Sequence, residues 1–345
     1  MSGNVAAGEA AIRAGCRFYA GYPITPQNEL IAYMADQLPL RDGTFVQAES
    51  ELAAINMVFG ASAGGARCLT SSSSPGISLK QEGISYLAGA ELPAVIVNVQ
   101  RGGPGLGGIG PSQGDYFQTT RGGGHGDYRC ISLAPASVQE MAEFTFDAFN
   151  LADKYRTPVI ILSDAMIGQM MEGVDLDHLP EPDLSERPWA LTGAKDRPKN
   201  VVRSLYFRDN QLPEHNDKLQ QKYEEIEESE PRCEMLRCDY ADAIVIAYGS
   251  AARIAREVVL RPPEELDLRV GLFRPITLWP FPETALRSAL SRTDMALTVE
   301  MSAGQLVEDV RLTARGETPV HLLGRPGEGI PTVADITDKI NSLFE

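Results

Sequence analysis

The chain has 345 residues, 43% of them hydrophobic and 23% charged, and its formal net charge is −16. This length predicts two domains, each with its own hydrophobic core. The strong negative charge argues against nucleic acid or an anionic membrane as a partner. The longest apolar runs, such as 92–99, have the length of a strand, so no membrane-spanning helix is expected. No basic segment followed by an apolar one stands near the N-terminus, and we expect a cytoplasmic protein.

Cysteine and histidine are few and scattered along the chain. The five cysteines show no CxxC spacing, and the four histidines do not cluster. Cys16 and Cys68 lie in apolar, strand-like segments and are expected to be unreactive core thiols. Cys233 and Cys238 lack the spacing usual for zinc or iron–sulfur ligands. We therefore expect no metal site in this chain, and any electron-carrying centre on another subunit.

The first 173 residues alternate between apolar strand-like runs, polar loops and helical segments. This alternation predicts a parallel sheet flanked by helices, an α/β fold in which ligands bind beyond the carboxyl ends of the strands. The predicted strands are 16–20, 44–47, 66–70, 93–99 and 158–163, and the predicted helices are 5–15, 28–37, 52–63, 77–88 and 137–155.

Residues 174–240 form a different kind of segment, which is polar, rich in proline and acidic near its end. We interpret it as a connector with one exposed helix, 214–228, whose acidic face is solvated. A second αβ series, 241–345, predicts a smaller α/β domain. Its predicted strands are 243–247, 268–273, 295–300 and 320–323, and its predicted helices are 251–260, 282–291, 304–313 and 333–344.

Polar residues follow four of the predicted strands in the first domain. Glu51 opens a small-residue helix after Ser50, and it is either an ordinary first-turn acid or a functional carboxylate. Arg101 ends an apolar strand, where it forms either a surface ion pair or a site for a substrate carboxylate. Thr25, on a proline-braced loop, is either a turn former or a hydrogen-bond donor to substrate, and Ser74 belongs to a serine run with the same two possibilities. Convergence of these loops at one sheet edge favours function.

A glycine-rich stretch at 105–110 matches the dinucleotide fingerprint G-x-G-x-x-G. That motif requires a helix opening at its third glycine, and here PSQGD follows instead. We therefore expect a loop lining a site entrance and no nicotinamide or flavin site. A Walker sequence, a G-x-S-x-G elbow and the Gly-Asp-Gly of magnesium–diphosphate sites are also missing from the sequence.

Several motifs resemble the alpha chain of the 2-oxoacid:ferredoxin oxidoreductases. The landmarks shared with the family are YPITP at 22–26, SE at 50–51, SPG at 74–76 and Arg101. RGGPGLG at 101–107 and PSQGDYF at 111–117 resemble the branched-chain, 2-oxoisovalerate type in particular. RPITLWPFP at 274–282 and GRP at 324–326 are similar to the family's second domain. The resemblance therefore covers nearly the whole chain.

The resemblance implies a thiamine-diphosphate-binding fold of the pyrimidine type, followed by a domain like the C-terminal domain of transketolase. The implied reaction is oxidative decarboxylation of a 2-oxoacid to acyl-coenzyme A, with reduction of ferredoxin. This chain would supply the pyrimidine half of the thiamine diphosphate site, and a beta chain the magnesium and diphosphate half. Iron–sulfur clusters would lie on the beta chain and a ferredoxin-like delta chain, in a complex that also has a gamma chain.

The same resemblance implies roles for individual residues. Glu51 would bind the pyrimidine ring nitrogen N1′ in a dry site that favours sharing of a proton, and Arg101 and Thr25 would bind the carboxylate and oxo group of the substrate. The catalytic residues implied are Glu51, Arg101 and Thr25, and the cofactor-binding residues implied are Tyr22, Pro23, Ile24, Thr25, Glu51 and Ser74.

The substrate and the chemistry leave alternatives open. The 102–116 loop has no cationic residue for a second carboxylate, which favours an apolar substrate. Pro75 stands where the pyruvate enzymes have glutamine, which argues against a transfer of pyruvate specificity. 2-Oxoglutarate and pyruvate remain alternative substrates, and a non-oxidative thiamine decarboxylase half is an alternative activity. A two-domain nucleotide-binding or scaffolding protein without chemistry is the alternative from another class.

Overall fold

The structure, a computed structural model, describes residues 1–184 and 186–345. Its strands are β1 (Phe18–Gly21), β2 (Thr44–Gln47), β3 (Cys68–Ser72), β4 (Ala94–Gln100), β5 (Ile131–Leu133), β6 (Pro158–Asp164), β7 (Cys233–Leu236), β8 (Ala243–Ile246), β9 (Val270–Pro275), β10 (Thr277–Trp279), β11 (Met295–Glu300) and β12 (Val320–Gly324). Its helices are α1 (Gly3–Arg13), α2 (Asn28–Gln37), α3 (Glu51–Ala63), α4 (Ser74–Gly89), α5 (Tyr116–Thr120), α6 (Val138–Tyr155), α7 (Ala165–Gln169), α8 (Gln211–Ser229), α9 (Gly249–Leu260), α10 (Glu283–Leu290), α11 (Leu306–Ala314) and α12 (Val333–Phe344).

The strands form a seven-stranded sheet in the order β10-β5-β6-β4-β3-β1-β2 and a five-stranded sheet in the order β12-β11-β8-β9-β7. Within the first sheet β1 pairs in parallel with β2 and β3, and β4 pairs in parallel with β3 and β6. The carboxyl ends of β2, β1, β3 and β4 therefore lie side by side at one edge. The α/β architecture predicted from the alternation of elements is confirmed.

Three short strands escaped the sequence analysis. β5 and β10 have three residues each, and they pair antiparallel although residues 134–276 separate them. β7 lies within the segment interpreted as a connector, and it pairs antiparallel with β9 at the edge of the second sheet. Segments this short carry no readable alternation of apolar and polar residues, and only tertiary pairing stabilises them.

Helix α8 is the exposed helix of the sequence analysis, but one of its faces is buried. Leu219, Tyr223 and Ile226 are at most 4% exposed, and they join the hydrophobic core of the first domain. Their spacing of four and three residues places them on one face. The acidic residues 224, 225, 227 and 228 are exposed, so the acidic face is solvated as expected. The expectation of an exposed helix was wrong only for the face that packs.

The core agrees with the expectation for the buried thiols. Cys16 and Cys68 are at most 1% exposed, and burial raises the pKa of Cys16 to about 12. Within the described part of the chain, no group of three or more potential metal-ligating side chains comes together. Within the same residues, no helix combines the length and the apolar character that crossing a bilayer requires.

The two sheets are joined by buried polar contacts close to the carboxyl edge of the first. The main-chain N–H and O of Met301 pair with Gln113, whose side-chain amide also donates to the carbonyl of Tyr248 at 2.8 Å. Asp164, at the end of β6, accepts hydrogen bonds from the hydroxyl and N–H of Ser250 at the start of α9. These bonds hold the loop after β4 against the second domain.

Candidate functional site

Each of the four adjacent strands at the carboxyl edge is followed by residues that the sequence analysis selected. The loop 22–25 follows β1, Glu51 follows β2, Ser74 follows β3, and Arg101 follows β4. The predicted convergence of the four loops is therefore seen in the fold. What each side chain contacts depends on the local structure.

The loop of Tyr22, Pro23, Ile24 and Thr25 is accessible at the surface, but its main chain is held from below. Asn4 of α1, which is fully buried, donates to the carbonyl of Pro26 at 2.8 Å. The side chain of Gln27 donates to the carbonyl of Tyr22 and accepts from the hydroxyl of Ser71, which in turn bonds Tyr19. This network fixes the loop and leaves its side chains free, with Tyr22 39% exposed.

Arg101 joins two of the loops through its guanidinium. Nη1 donates to the carbonyl of Thr25 at 3.0 Å, and Nη2 donates to the carbonyl of Leu106 at 2.9 Å. Nε is buried and has no hydrogen-bond partner among the residues described. No carboxylate of those residues forms an ion pair with Arg101 either, so the surface ion pair is not formed. The guanidinium keeps donors available for an anion.

Ser74 uses its hydroxyl within the protein. Its Oγ accepts from the main-chain N–H of Arg101 at 3.1 Å and lies 3.3 Å from the carbonyl of the same residue. Asp115, which accepts from Asn98 at 2.8 Å, interacts with the same hydroxyl. The burial of Asp115 raises the pKa of its carboxyl group. Ser74 therefore ties the start of α4 to the end of β4.

Glu51 is 6% exposed in the first turn of α3. Ser50 caps the helix, since its side chain accepts from the N–H of Ala53 at 3.2 Å. No hydrogen bond to the Glu51 carboxylate is formed anywhere in residues 1–184 and 186–345, so the ordinary helix-capping role falls to Ser50 alone. The Glu51 carboxylate is therefore nearly buried but unpaired, and it is free to bind a group that reaches it from the sheet edge.

The carboxylate of Glu51 packs against the main chain of Gly76 in α4. A Cβ atom at this position would lie 2.7 Å from Glu51 Oε1 and 2.1 Å from Ser72 Oγ. Only glycine allows this close approach. The hydroxyls of Ser72 and Ser73 are buried without a hydrogen-bond partner in the part of the chain described. The unpaired hydroxyl of Ser72 thus lies close to the Glu51 carboxylate.

The sequence analysis missed Lys80, which is fully buried in α4. Its Nζ donates to Thr70 Oγ1 at 2.5 Å and to the carbonyl of Ser71 at 3.1 Å. The sequence does indicate that position 80 is buried, because it lies three residues after Ile77 and four before Ile84 on the apolar face of the helix. Lysine is rarely buried, so the residue type argues against burial where the spacing favours it.

The glycine-rich stretch forms a loop, as predicted. The main chain of Gly102 bonds both Gly108 and Gly110, and no helix opens at the third glycine of the motif. Gly110 donates its N–H to Glu328 of the second domain at 2.7 Å. Leu106 and Ile109, at the loop tip, are 80% and 62% exposed. The dinucleotide interpretation is excluded by this geometry.

Residues 9–235, more than half of the chain, match the family model "Pyruvate flavodoxin/ferredoxin oxidoreductase, thiamine diP-bdg". The chain belongs to the 2-oxoacid:ferredoxin oxidoreductase family. A second model of the same family, "Pyruvate:ferredoxin oxidoreductase core domain II", matches residues 241–336. The membership predicted from the motifs is confirmed, and so is the alpha-type character of the chain.

Curated members of the family are similar over almost the full length. Ketoisovalerate oxidoreductase subunit VorB of Methanothermobacter thermautotrophicus is 49% identical, covering 99% of this chain and 97% of its own. 2-Oxoglutarate synthase subunit KorA of Archaeoglobus fulgidus is 40% identical, covering 90% of each chain. The first is an oxidoreductase subunit, as the family model is also named, so this chain is an oxidoreductase subunit.

Solved structures support the fold. The 2-oxoglutarate:ferredoxin oxidoreductase of Magnetococcus marinus, a structure with 2-oxoglutarate, coenzyme A and succinyl-coenzyme A bound, matches with a TM-score of 0.86 at 28% identity. The match covers 100% of this chain and 65% of that one. A split-gene transketolase matches with a TM-score of 0.62 at 15% identity, covering 99% of this chain and 97% of its own, a likeness of fold alone. The predicted thiamine-type fold with a transketolase-like second domain is confirmed.

The residues at the carboxyl edge fit a thiamine pyrimidine ring. A polar heterocycle would satisfy the Glu51 carboxylate, which has no hydrogen bond and lies close to the unpaired hydroxyl of Ser72. The absence of a side chain at Gly76 keeps that carboxylate accessible from α4. The accessible loop of Tyr22 to Thr25 provides a wall on the side of β1.

Proposed function

We propose that this chain forms the pyrimidine half of a thiamine diphosphate site in a complex that oxidatively decarboxylates a branched-chain 2-oxoacid, 2-oxoisovalerate. The observation that carries the proposal is the buried Glu51 carboxylate without a hydrogen bond, in a chain 49% identical to a ketoisovalerate oxidoreductase subunit. Acyl-coenzyme A, carbon dioxide and reduced ferredoxin would be the products.

Glu51 is the proton-handling residue of the proposal. When bound, thiamine diphosphate supplies the electron sink that allows a 2-oxoacid to lose carbon dioxide. Glu51 holds a proton between its carboxylate and the pyrimidine nitrogen N1′, and burial of the pair from water strengthens this hydrogen bond. Tyr22, Pro23 and Ile24 cover the ring from the side of β1. Ser74 lines the pocket indirectly, because its hydroxyl holds Arg101.

Arg101 and Thr25 bind the substrate in this proposal. The two donors that Arg101 already uses fix the guanidinium plane, and the remaining N–H groups of Nη1 and Nη2 are left for the substrate carboxylate. The hydroxyl of Thr25, which accepts from Asn28 at 3.2 Å, still has its own hydrogen to donate to the oxo group. Charge and hydrogen bonds then orient the carboxylate before it leaves as carbon dioxide.

The loop after Arg101 supports an apolar substrate side chain. Residues 102–120 contain no lysine, arginine or histidine, and the loop exposes Leu106 and Ile109. A second carboxylate, as in 2-oxoglutarate, would be left without a cation on this loop. The 40% identity to a 2-oxoglutarate synthase subunit keeps that dicarboxylate as the competing substrate.

The proposal also assigns the rest of the machinery to partners. A beta chain supplies the magnesium and diphosphate half of the site, since this sequence has no Gly-Asp-Gly element. Beta and delta chains carry the iron–sulfur clusters, a gamma chain completes the complex, and ferredoxin accepts the electrons. Coenzyme A is the co-substrate that takes the acyl group, and the cytoplasm is the expected location.

The test is an assay of the complex, assembled by co-expression of this chain with the subunits encoded beside it. Coenzyme-A-dependent reduction of ferredoxin is measured with 2-oxoisovalerate, 2-oxoglutarate, pyruvate and an aryl 2-oxoacid. We expect the highest kcat/KM for 2-oxoisovalerate, by about tenfold or more over 2-oxoglutarate because of the missing cation. The isolated chain should be inactive. Preference for 2-oxoglutarate would overturn the substrate assignment, and release of aldehyde without reduction of ferredoxin would overturn the oxidative reaction.

A further inference from the structure

Lys80 is a lysine with 0% exposure beneath the site, and no role has been given to it so far. Its two hydrogen-bond partners, Thr70 Oγ1 and the carbonyl of Ser71, are uncharged. Among the described residues no carboxylate lies within ion-pair distance of its Nζ. A buried ammonium without a direct counter-ion is unfavourable, so its presence calls for a reason.

The side chain of Lys80 lies on the buried side of α4. The neighbouring Leu79 is 56% exposed, which is the reverse of what the two residue types prefer. The hydroxyl of Thr70 donates to the carbonyl of Ala20 at 2.6 Å, so this hydroxyl accepts from Lys80. Both partners of Lys80 are therefore acceptors, and the amine is held against the interior strand β3 as a donor.

Lys80 lies one helical turn after Gly76, whose main chain the Glu51 carboxylate contacts. Glu51 is the charged group that acts on the amine. Tyr19 of β1 is a further titratable group close to Lys80, because its hydroxyl bonds the side chain of Ser71. Burial lowers the pKa of Lys80 to about 7, and the negative charge of Glu51 opposes that shift. The two groups are thus electrostatically coupled across the start of α4.

We propose that Lys80 is a positioning residue that acts through Glu51, whose proton its positive charge drives toward the cofactor ring. The proposal rests on the proposed function. Lys80 is more deeply buried than Glu51, which keeps slight exposure at the sheet edge. A positive charge on the inner side of a carboxylate stabilises its ionised form, and in a dry site the effect is poorly screened. The proton then resides on the outer side, at the ring nitrogen.

The first test uses the isolated full-length chain without cofactor, so it does not depend on the proposed function. Lys80→Met, Glu51→Gln and the double variant are unfolded by denaturant at about pH 6, where Lys80 is charged. We expect the double variant to be more stable than the sum of the two single losses predicts, because neither charge is left alone. Additive losses would overturn the coupling. Lys80→Gln, which keeps a donor without the charge, replaces Lys80→Met if that variant does not fold.

The second test measures exchange of the thiamine C2 hydrogen for deuterium in the assembled complex without substrate. Lys80→Met should slow exchange by about tenfold or more, the range expected for a group that assists proton transfer. It should also remove the step near neutral pH that Lys80 imposes on the wild-type exchange profile. The dissociation constant for thiamine diphosphate should change less than about threefold if Lys80 acts on the proton alone.

A matched control is Lys222→Met. Lys222 is a partly buried lysine whose pKa is also lowered by burial, and its partner Glu91 precedes β4, at the opposite edge of the sheet. This variant should leave exchange unchanged. If Lys80→Met exchanges the C2 hydrogen at the wild-type rate and with an unaltered pH profile, the proposal is overturned. A wild-type complex that binds no thiamine diphosphate would overturn the proposed function instead, while the unfolding test would still decide the coupling.

Discussion

The guanidinium of Arg101 donates a hydrogen bond to the main-chain carbonyl of Thr25, with 3.0 Å between Nη1 and the oxygen. The two residues follow neither the same strand nor neighbouring strands, since β3 lies between β1 and β4. The bond therefore closes a bridge over the end of β3, where Ser74 begins α4. Arg101 thus ties the loop after β1 through its side chain and the start of α4 through its main chain.

Replacing Arg101 tests this bridge. Arg101→Met should lower kcat/KM for the 2-oxoacid by about 10- to 100-fold, the range expected for loss of a hydrogen-bonded charge. Arg101→Lys should recover only part of this loss, because an ammonium lacks the planar fork that contacts Thr25, Leu106 and an anion together. Steady-state kinetics of the complex provide the measurement. A Lys variant as active as the wild type would contradict the bridging role.

Neutralising Glu51 tests its role as proton partner. Glu51→Gln in the complex should slow exchange of the thiamine C2 hydrogen by about tenfold or more, because the amide cannot share a proton with the ring. Glu82→Gln is the matched control, since Glu82 is an exposed carboxylate that bonds Tyr86 on the outer face of α4. Unchanged exchange in the first variant would remove Glu51 from this role.

A methyl group at position 76 should disturb the site without removing any functional group. In Gly76→Ala the added Cβ would meet Ser72 and Glu51, so weaker binding of thiamine diphosphate and a lower Tm are expected. Gly60→Ala is the control in α3, because nothing lies within 4 Å of its added Cβ. That change should raise the stability by about 0.5–1 kcal/mol through helix propensity. Calorimetry measures both effects, and equal shifts would contradict the close packing at position 76.

The buried amine of Lys80 predicts a dependence of stability on pH. Burial lowers the pKa of Lys80 to about 7, whereas the unfolded chain keeps the proton up to about 10.4. Between these values the unfolded state binds more protons, so the free energy of unfolding rises with pH by up to about 1.4 kcal/mol per pH unit from this group.

The contribution of Lys80 is isolated as the difference between wild type and Lys80→Met over that range of pH. The buried thiol of Cys16, whose pKa burial raises to about 12, acts in the opposite sense and cancels in the difference. Denaturant unfolding at several pH values measures it. A difference that does not vary from about pH 7 to pH 10 would show that the folded chain keeps Lys80 charged.

The sequence was sufficient to predict the parallel arrangement and the four loops, because each long apolar run is followed by a break with turn chemistry. β4 is the clearest case, with all seven of its residues buried. The family motifs then gave Glu51, Thr25 and Arg101 a common site. The positions of these three residues could be predicted because the carboxyl ends of parallel strands meet at one edge of the sheet. The roles of these residues in catalysis stay predictions.

The features that could not be predicted depend on contacts between distant segments. Ser74 was expected to line the pocket, yet its hydroxyl is used by the main chain of Arg101, a contact that no local pattern encodes. Lys80 was missed because lysine is rarely buried, although its position matches the apolar face of α4. Strands β5 and β10 are too short to be recognised, and they exist because each completes the hydrogen bonding of the other.

Strand β10 has a consequence for how the chain acquires its structure. Thr277–Trp279 belongs to the first sheet, although it leaves the ribosome after β7 and β8 of the second. The first sheet therefore stays incomplete, with β5 as an open edge, until most of the polypeptide has been synthesised. Such long-range pairing slows folding. The chain should unfold in one cooperative transition. A fragment ending after residue 240 should leave β5 as an unpaired edge strand that can pair with other molecules.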